Sequence, residues 1–472
     1  MTSPYPDPTG TSPVPVPPPE CPAHAQGLGG PRRLYGAEAE GSPHTLYESL
    51  RREHGQVAPV LLPGDLSAWL VLGHRENLEV MRAPSLYSCD SRRWNAFQEG
   101  RVSADSPLRL VTAWQPLLAF ADGEEHARLR SAITDSLALF NRHGVRRHVV
   151  RYTHQLVDEF AGRGEADLVV DFAEKLPVLV MSRLFGIPER YCVPLGAAVR
   201  DLVQGTGTAF RSSDYVMDVM RRVVQRKKDE PGKDFISSLL AHPSALTEDE
   251  VCEHLRYALV ASNETTVSLI SDTLRMALTD PRFRGNLSGG QMTLPDALDQ
   301  VLWNHPPLAV IPNRWATGDT SLGGQRIKAG DMVMLGIAAG NVDPEIRLDL
   351  GASMHGNRSH LSFGGGPHEC PGMDVGRAII DTGIDTLLSR LSDLRLAVPE
   401  AELRMTASWM SSRLTTLPVR FSGPSAQQAT PAVGDTAPSA AQPLPAATPA
   451  DGAEASLERA ADPSWWRRLF GG

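Results

Sequence analysis

Apolar and polar positions along this chain switch between helical and strand spacing in a definite order. Residues 43–52 follow a helical pattern. Residues 57–62 and 68–72 are apolar runs parted by Pro63-Gly64-Asp65, which reads as a β-hairpin. Residues 75–82 predict a short helix, and residues 91–118 an irregular stretch carrying Trp94, Phe97 and Trp114. Helical spacing returns over residues 172–185 and 214–227, with a loop between them around Gly205-Thr206-Gly207 and Arg211-Ser212-Ser213. Thr247-Glu248-Asp249-Glu250 is a capping box that opens an apolar-periodic run to about Leu278. At about 1.5 Å per residue such a helix would be on the order of 48 Å long, enough to cross a domain. Residues 297–305 predict another helix, stopped by Pro306-Pro307, and residues 373–391 a last one.

Both ends lack this patterning. Residues 1–42 are rich in Pro, Gly, Ser and Thr, including Val14-Pro15-Val16-Pro17-Pro18-Pro19, and read as a disordered arm or a polyproline ligand. Residues 423–472 revert to Ala, Pro, Ser and Thr and close on Trp465-Trp466-Arg467-Arg468-Leu469-Phe470. Aromatics beside arginines suit docking on a partner protein or on an anionic membrane surface. The patterned part, residues 43–422, is long enough for one large domain.

Composition excludes several classes. A net charge of −9 and a pI near 5.9 argue against a nucleic-acid partner. Cys21, Cys89, Cys192, Cys252 and Cys370 form no close pairs, so neither a disulfide framework nor a zinc site is implied. The first residues carry no apolar signal region, and no stretch approaches the ~20 apolar residues that span a bilayer. A soluble cytoplasmic protein is expected.

The chemistry concentrates in residues 360–372, a glycine-rich loop ending in Cys370. A cysteine just before a helix N-terminus meets unpaired N–H groups and the positive end of the dipole, which favour a thiolate. Such a thiolate can ligate a soft or borderline metal. The glycines let the backbone approach a flat cofactor. Upstream, His126 and Arg130 are four apart, on one helix face, and can converge on a single anion.

The string Phe363-Gly-x-Gly-x-His368-x-Cys370-x-Gly resembles the haem-binding loop of the cytochrome P450 superfamily. The resemblance covers roughly residues 43–422. It implies a mainly α fold with a small β region in a single catalytic domain, haem b as cofactor, and Cys370 as the iron ligand. His126 and Arg130 match the His-x-x-x-Arg that holds a haem propionate, and Arg314, in Pro312-Asn313-Arg314-Trp315-Ala316, matches the arginine of the second propionate. Ala261-Ser262-Asn263-Glu264-Thr265-Thr266 matches the centre of the long helix, where Glu264 and Thr265 would relay protons to the oxygen being activated. Ser262 replaces the usual glycine, and either narrows the oxygen groove or adds a donor beside it.

One departure is large. The family's Glu-x-x-Arg is absent, with Gln300 and Trp303 at its positions, and the Pro-x-Arg-Phe segment supplying its second arginine is not recognisable between residues 343 and 357. The pattern is similar to a small actinomycete subfamily lacking Glu-x-x-Arg. Since a whole ion network can be replaced by neutral groups at little cost, Gln300 and Trp303 are expected to form a neutral structural pair. Pro371, lacking an N–H, removes one donor near the sulfur, and Glu369 adds negative charge.

The resemblance implies a haem-thiolate monooxygenase that inserts oxygen into an apolar small molecule, with electrons from a separate ferredoxin and ferredoxin reductase. The alternative is a haem-binding partner or sensor with little turnover.

Overall fold

The hairpin predicted by the two apolar runs forms, and the main sheet is built on it. The computed structural model describes residues 30–36 and 43–422, apart from residues 105, 107, 205, 206, 289, 355 and 408. Strands β2 (Val57–Leu62) and β3 (Leu66–Val71) pair antiparallel, with Leu62 opposite Leu66 and Val57 opposite Val71. Gly64 (φ 84°) and Asp65 (φ 54°) turn the chain in the left-handed region, which glycine and, less readily, aspartate adopt. Strand β1 (Arg32–Arg33) lies parallel to β2; β5 (Val333–Gly336) lies parallel to β3 and antiparallel to β4 (Val310–Ile311). The sheet order is β1-β2-β3-β5-β4. Its two faces follow the strand alternation: Ala58, Val60, Leu62 and Leu70 pack with Leu50, Trp94 and Trp315, whereas Val57, Trp69 and Val71 pack with Tyr87 and Leu335.

Strand β1 comes from the segment expected to be a disordered arm, so Arg32–Arg33 belong to the sheet instead. Their order depends on a partner strand distant in sequence, which composition does not register. The C-terminal residues 423–472, with Trp465–Phe470, lie outside the described residues.

Ten helices carry the argument: α1 (Pro43–His54), α2 (His74–Arg82), α3 (Gly123–Ala138), α4 (Arg142–Phe160), α5 (Lys175–Phe185), α6 (Cys192–Gln204), α7 (Ala209–Asp229), α8 (Glu248–Thr279), α9 (Leu294–Asn304) and α10 (Met373–Arg390). A π-helical turn, Val169–Ala173, precedes α5 and delays its start relative to the sequence pattern. In α8 both halves of the capping box close: Glu250 N donates to Thr247 Oγ1 (3.2 Å), and Thr247 N donates to Glu250 Oε2 (2.7 Å). This 32-residue helix packs against α5, α6, α7, α9, α10 and strand β7 (Ser412–Leu414), which forms a hairpin with β6 (Met405–Ala407).

Burial along α8 is uneven. Every residue from 266 to 274 is buried, whereas Tyr257 is exposed and Val260, Ala261 and Thr265 are half-buried. These positions share one helix face, and on a helix otherwise enclosed by protein an uncovered stripe faces an internal space. Among the described residues, no helix is long and apolar enough to cross a membrane.

The buried half of α8 contains Asp272, only 2 % exposed and 3.4 Å from Arg275 Nε. Burial pushes its carboxyl up to about 6, against the pull of Arg275. A carboxyl that holds its proton more tightly when folded loses stability as pH rises through roughly 4 to 6. The loss at neutral pH is on the order of 2–3 kcal/mol. Asp272→Asn is therefore expected to raise the melting temperature by a few degrees at pH 7.5 and to leave it unchanged near pH 4, as thermal melts at the two pH values would show.

Candidate active site

Residues 360–372 fold into two 3-10 turns, Leu361–Phe363 and Gly366–His368, that run into α10. Gly364 and Gly366 have φ of 72° and 65°, and a Cβ on Gly366 would lie 2.4 Å from the Met81 carbonyl, so this position takes only glycine. Cys370 N donates to Phe363 O (2.9 Å) and closes the loop. The Cys370 side is exposed, yet packing around it raises the thiol pKa; the Gly372 N–H and Arg130 oppose that rise and Glu369 adds to it. An atom that is uncovered but closely surrounded lies on the wall of an enclosed space. Gly372 also supplies a backbone donor to the sulfur, although Pro371 has none.

Tyr257 has the same character. It is exposed, burial raises its phenol pKa, and Cys370, Arg314 and Cys89 are the charges that act on it. The uncovered stripe of α8 and the Cys370 loop therefore look into one space.

Four basic side chains gather at its edge. His126 of α3 is buried, and its Nε2 has no hydrogen-bond partner among the described residues. Its ring lies 4.1 Å from that of His368, whose Nε2 is 3.2 Å from Cys89 Sγ. Arg130 donates to the Glu369 carbonyl, and buried Arg314 donates to the Asn313 carbonyl (2.6 Å). Burial lowers both imidazoles, and the neighbouring Arg130 and Arg314 lower them further, His368 to about 2. Two arginines beside buried imidazoles, one of them with an unpartnered ring nitrogen, suit an anionic ligand. This set fits the haem expectation: a flat group between the α8 stripe and Cys370, with its acidic edge among His126, Arg130, Arg314 and His368.

Cys89, Asp122 and His368 bring their ligand atoms within 4.8 Å of one another. They make a poor cation site, because burial pushes the Cys89 thiol up to about 12 and Asp122 already accepts from Ser88 Oγ and Cys89 N. Cys89, isolated in sequence, gave no signal of its place here.

On α8 the proposed acid and alcohol diverge. Thr265 lies on the uncovered stripe, its Oγ1 donating back to Ala261 O (2.7 Å), and Ser262 Oγ lies 3.4 Å from Leu259 O. Glu264 points away, buried, with Oε1 3.3 Å from Arg413 Nε of β7. Arg413 also donates to Glu174 (3.1 Å), which pairs with Arg200 of α6. Burial raises the Glu264 pKa, opposed by Arg413. Arg413, Glu174 and Arg200 lie far from Glu264 in sequence, and no local pattern announces them.

Gln300 and Trp303 do not pair with each other, which corrects the expectation. Met354 N donates to Gln300 Oε1 (2.5 Å), and Trp303 Nε1 donates to Asn357 O (2.8 Å), so each ties α9 separately to the segment leading into the loop. That segment does hold a buried arginine, Arg347, which donates to Leu350 O (2.9 Å); its Nε and Nη1 have no partner among the described residues. Among the described residues it makes no hydrogen bond to Gln300 or Trp303.

No protein-family model matches the chain. It is 30% identical over 367 residues to cytochrome P450-SU2 of Streptomyces griseolus, covering 75% of this chain and 88% of that protein. It is 27% identical over 385 residues to 2-hydroxy-5-methyl-1-naphthoate 7-hydroxylase of Streptomyces carzinostaticus, covering 79% and 93%. In structure it resembles CYP154A1 of Streptomyces coelicolor A3(2), with a TM-score of 0.72 and 28% identity over 80% of this chain and 97% of that one.

Trp303 is 1 % exposed, so an arginine in its place would bury a charge with no acid prepared for it. Trp303→Arg alone is expected to destabilise the fold by about 3–5 kcal/mol. Chemical denaturation of this variant would check this.

Proposed function

This chain belongs to the cytochrome P450 superfamily of haem b monooxygenases, and on that premise we propose that it inserts one oxygen atom from O2 into an apolar small molecule in the cytoplasm, with electrons from a separate ferredoxin and its reductase. The observation that carries the reading is Cys370, an uncovered residue that acts electrostatically on Tyr257 of α8 and lies beside the gathering of His126, Arg130, Arg314 and His368. Cys370 would ligate the iron, the four basic residues would hold the propionates, and Phe363, whose carbonyl fixes the Cys370 N–H, would brace the ligand loop. Once bound, haem supplies oxygen activation, to which a cysteinate contributes electron density that favours O–O cleavage.

The chain's own part is positioning and protons. Thr265 has to release its hydroxyl from Ala261 O before it can hold a proton toward the cavity. Glu264 has to leave Arg413 to deliver one, and its raised pKa keeps a larger protonated fraction available near neutrality. Ser262, beside them, narrows the groove. Val260, Ala261 and the irregular stretch around Trp114 offer apolar contact to a substrate. A domain that takes in Arg32–Arg33 of the sheet and ends near residue 422, and a docking role for residues 465–470, complete the reading.

The back-bonded Thr265 and the paired Glu264 also favour a second reading, a haem-binding partner or sensor with little turnover. NADPH consumption with a surrogate ferredoxin and reductase separates the two. A monooxygenase is expected to consume NADPH faster when an apolar ligand is added, and Glu264→Gln to lower that rate by about 10²-fold or more. Consumption that ignores both ligand and substitution would support the sensor.

A further inference from the structure

Asp299, one residue before Gln300, is wholly buried, and no motif marks it. Its carboxylate is the meeting point of three side chains from the region of the cysteine loop. Arg377 of α10 donates to Oδ1, and His360 Nε2 lies 3.7 Å from the same oxygen. Arg358 Nε lies 3.5 Å from Oδ2. Burial pushes the Asp299 pKa up, but the neighbouring His360 and the hydrogen-bonded Arg377 outweigh it and leave the carboxyl below its ordinary value.

The topology of these contacts is specific. Arg358 and His360 precede Cys370 in the chain, and Arg377 follows it, so one carboxylate grips the loop before and after the sulfur. The gripping helix is α9, which has a second hold: Leu302 O accepts from Ser362 Oγ (2.8 Å) and from Asn341 Nδ2 (2.9 Å), while Asn341 Oδ1 accepts from Leu361 N (2.9 Å). Arg377 also lies over the Phe363 ring, 5.9 Å from its centroid. Among the described residues the side-chain hydrogen bonds of Gln300 and Trp303 go to the backbone of residues 354 and 357, and the Trp303 ring packs edge-on to His360, 6.1 Å between centroids.

We propose that Asp299 is the positioning residue of the thiolate loop, its carboxylate bonded to Arg377 and drawing Arg358 and His360 toward it, so that the Cys370 sulfur is held at the haem face. An ionic anchor, absent at Gln300 and Trp303, thus stands one residue earlier on α9 at Asp299, and its base comes from the helix after the cysteine rather than from α9 itself. The inference rests on the haem-thiolate reading above.

The test is the reduced, CO-bound difference spectrum of the full chain, read with haem content and circular dichroism. Asp299→Asn strands Arg377 and is expected to lose most of the red-shifted Soret band of the thiolate-ligated complex. Because that variant can fail to fold, Asp299→Asn with Arg377→Gln removes both charges and relieves the stranded one. This folded double variant is expected to bind haem yet lose most of the band. Arg377→Lys, which keeps a cation at Asp299, is expected to retain most of it, and Gln300→Ala all of it. A folded double variant with the wild-type band would overturn the proposal, as would a loss in Gln300→Ala equal to that of the double variant. Wild-type protein without the band would overturn the haem-thiolate reading and this clamp with it.

Discussion

The Cys370 sulfur has to stay uncovered on one side while the loop that carries it is bonded on every other. Backbone alone achieves part of this. Cys370 N is tied to Phe363 O, and Gly366 fits against the Met81 carbonyl only because it has no Cβ. The rest depends on α9, whose Asp299 and Leu302 carbonyl hold the approach to the loop and the helix after it. Helix α8 then has to pass above at full length, buried over residues 266–274 and uncovered along Tyr257, Ala261 and Thr265. An isolated helix gains too little to order itself in this way; tertiary packing along its buried half makes the long element stable.

What the sequence disclosed was local. The Thr247–Glu250 capping box, the Pro63-Gly64-Asp65 turn and the cysteine loop each contain, within a few residues, the groups that decide their conformation. His126 and Arg130, four apart, were legible for the same reason. Arg32–Arg33 were not, because their ladder partner is in β2. Neither was the pairing of Glu264 with Arg413, nor that of Asp299 with Arg377, since these charges meet only when distant elements pack. The absence of Glu-x-x-Arg was visible, but the ionic cluster at Asp299 was not. A neutral Gln300–Trp303 pair was the simplest expectation, and the structure replaces it with two separate backbone ties beside that cluster.

Electrostatics divides the site into two halves with opposite needs. At the rim, burial and then Arg130 and Arg314 hold the His126 and His368 imidazoles below their ordinary pKa, an arrangement that a bound anion would relieve. Above, the acid and the alcohol are both satisfied by protein, Glu264 by Arg413 and Thr265 by Ala261 O. The first half favours loading of the cofactor. The second makes proton delivery depend on breaking contacts that link α8 to β7 and, through Glu174 and Arg200, to α5 and α6. Turnover that uses Glu264 and Thr265 would thereby be coupled to elements well away from the sulfur.

The central claim is that Cys370 is the thiolate ligand of haem iron. The most direct measurement compares the reduced, CO-bound difference spectra of the wild-type protein and Cys370→Ala. The account predicts a red-shifted Soret band in the wild type and none in the variant. Retention of that band in Cys370→Ala would contradict it.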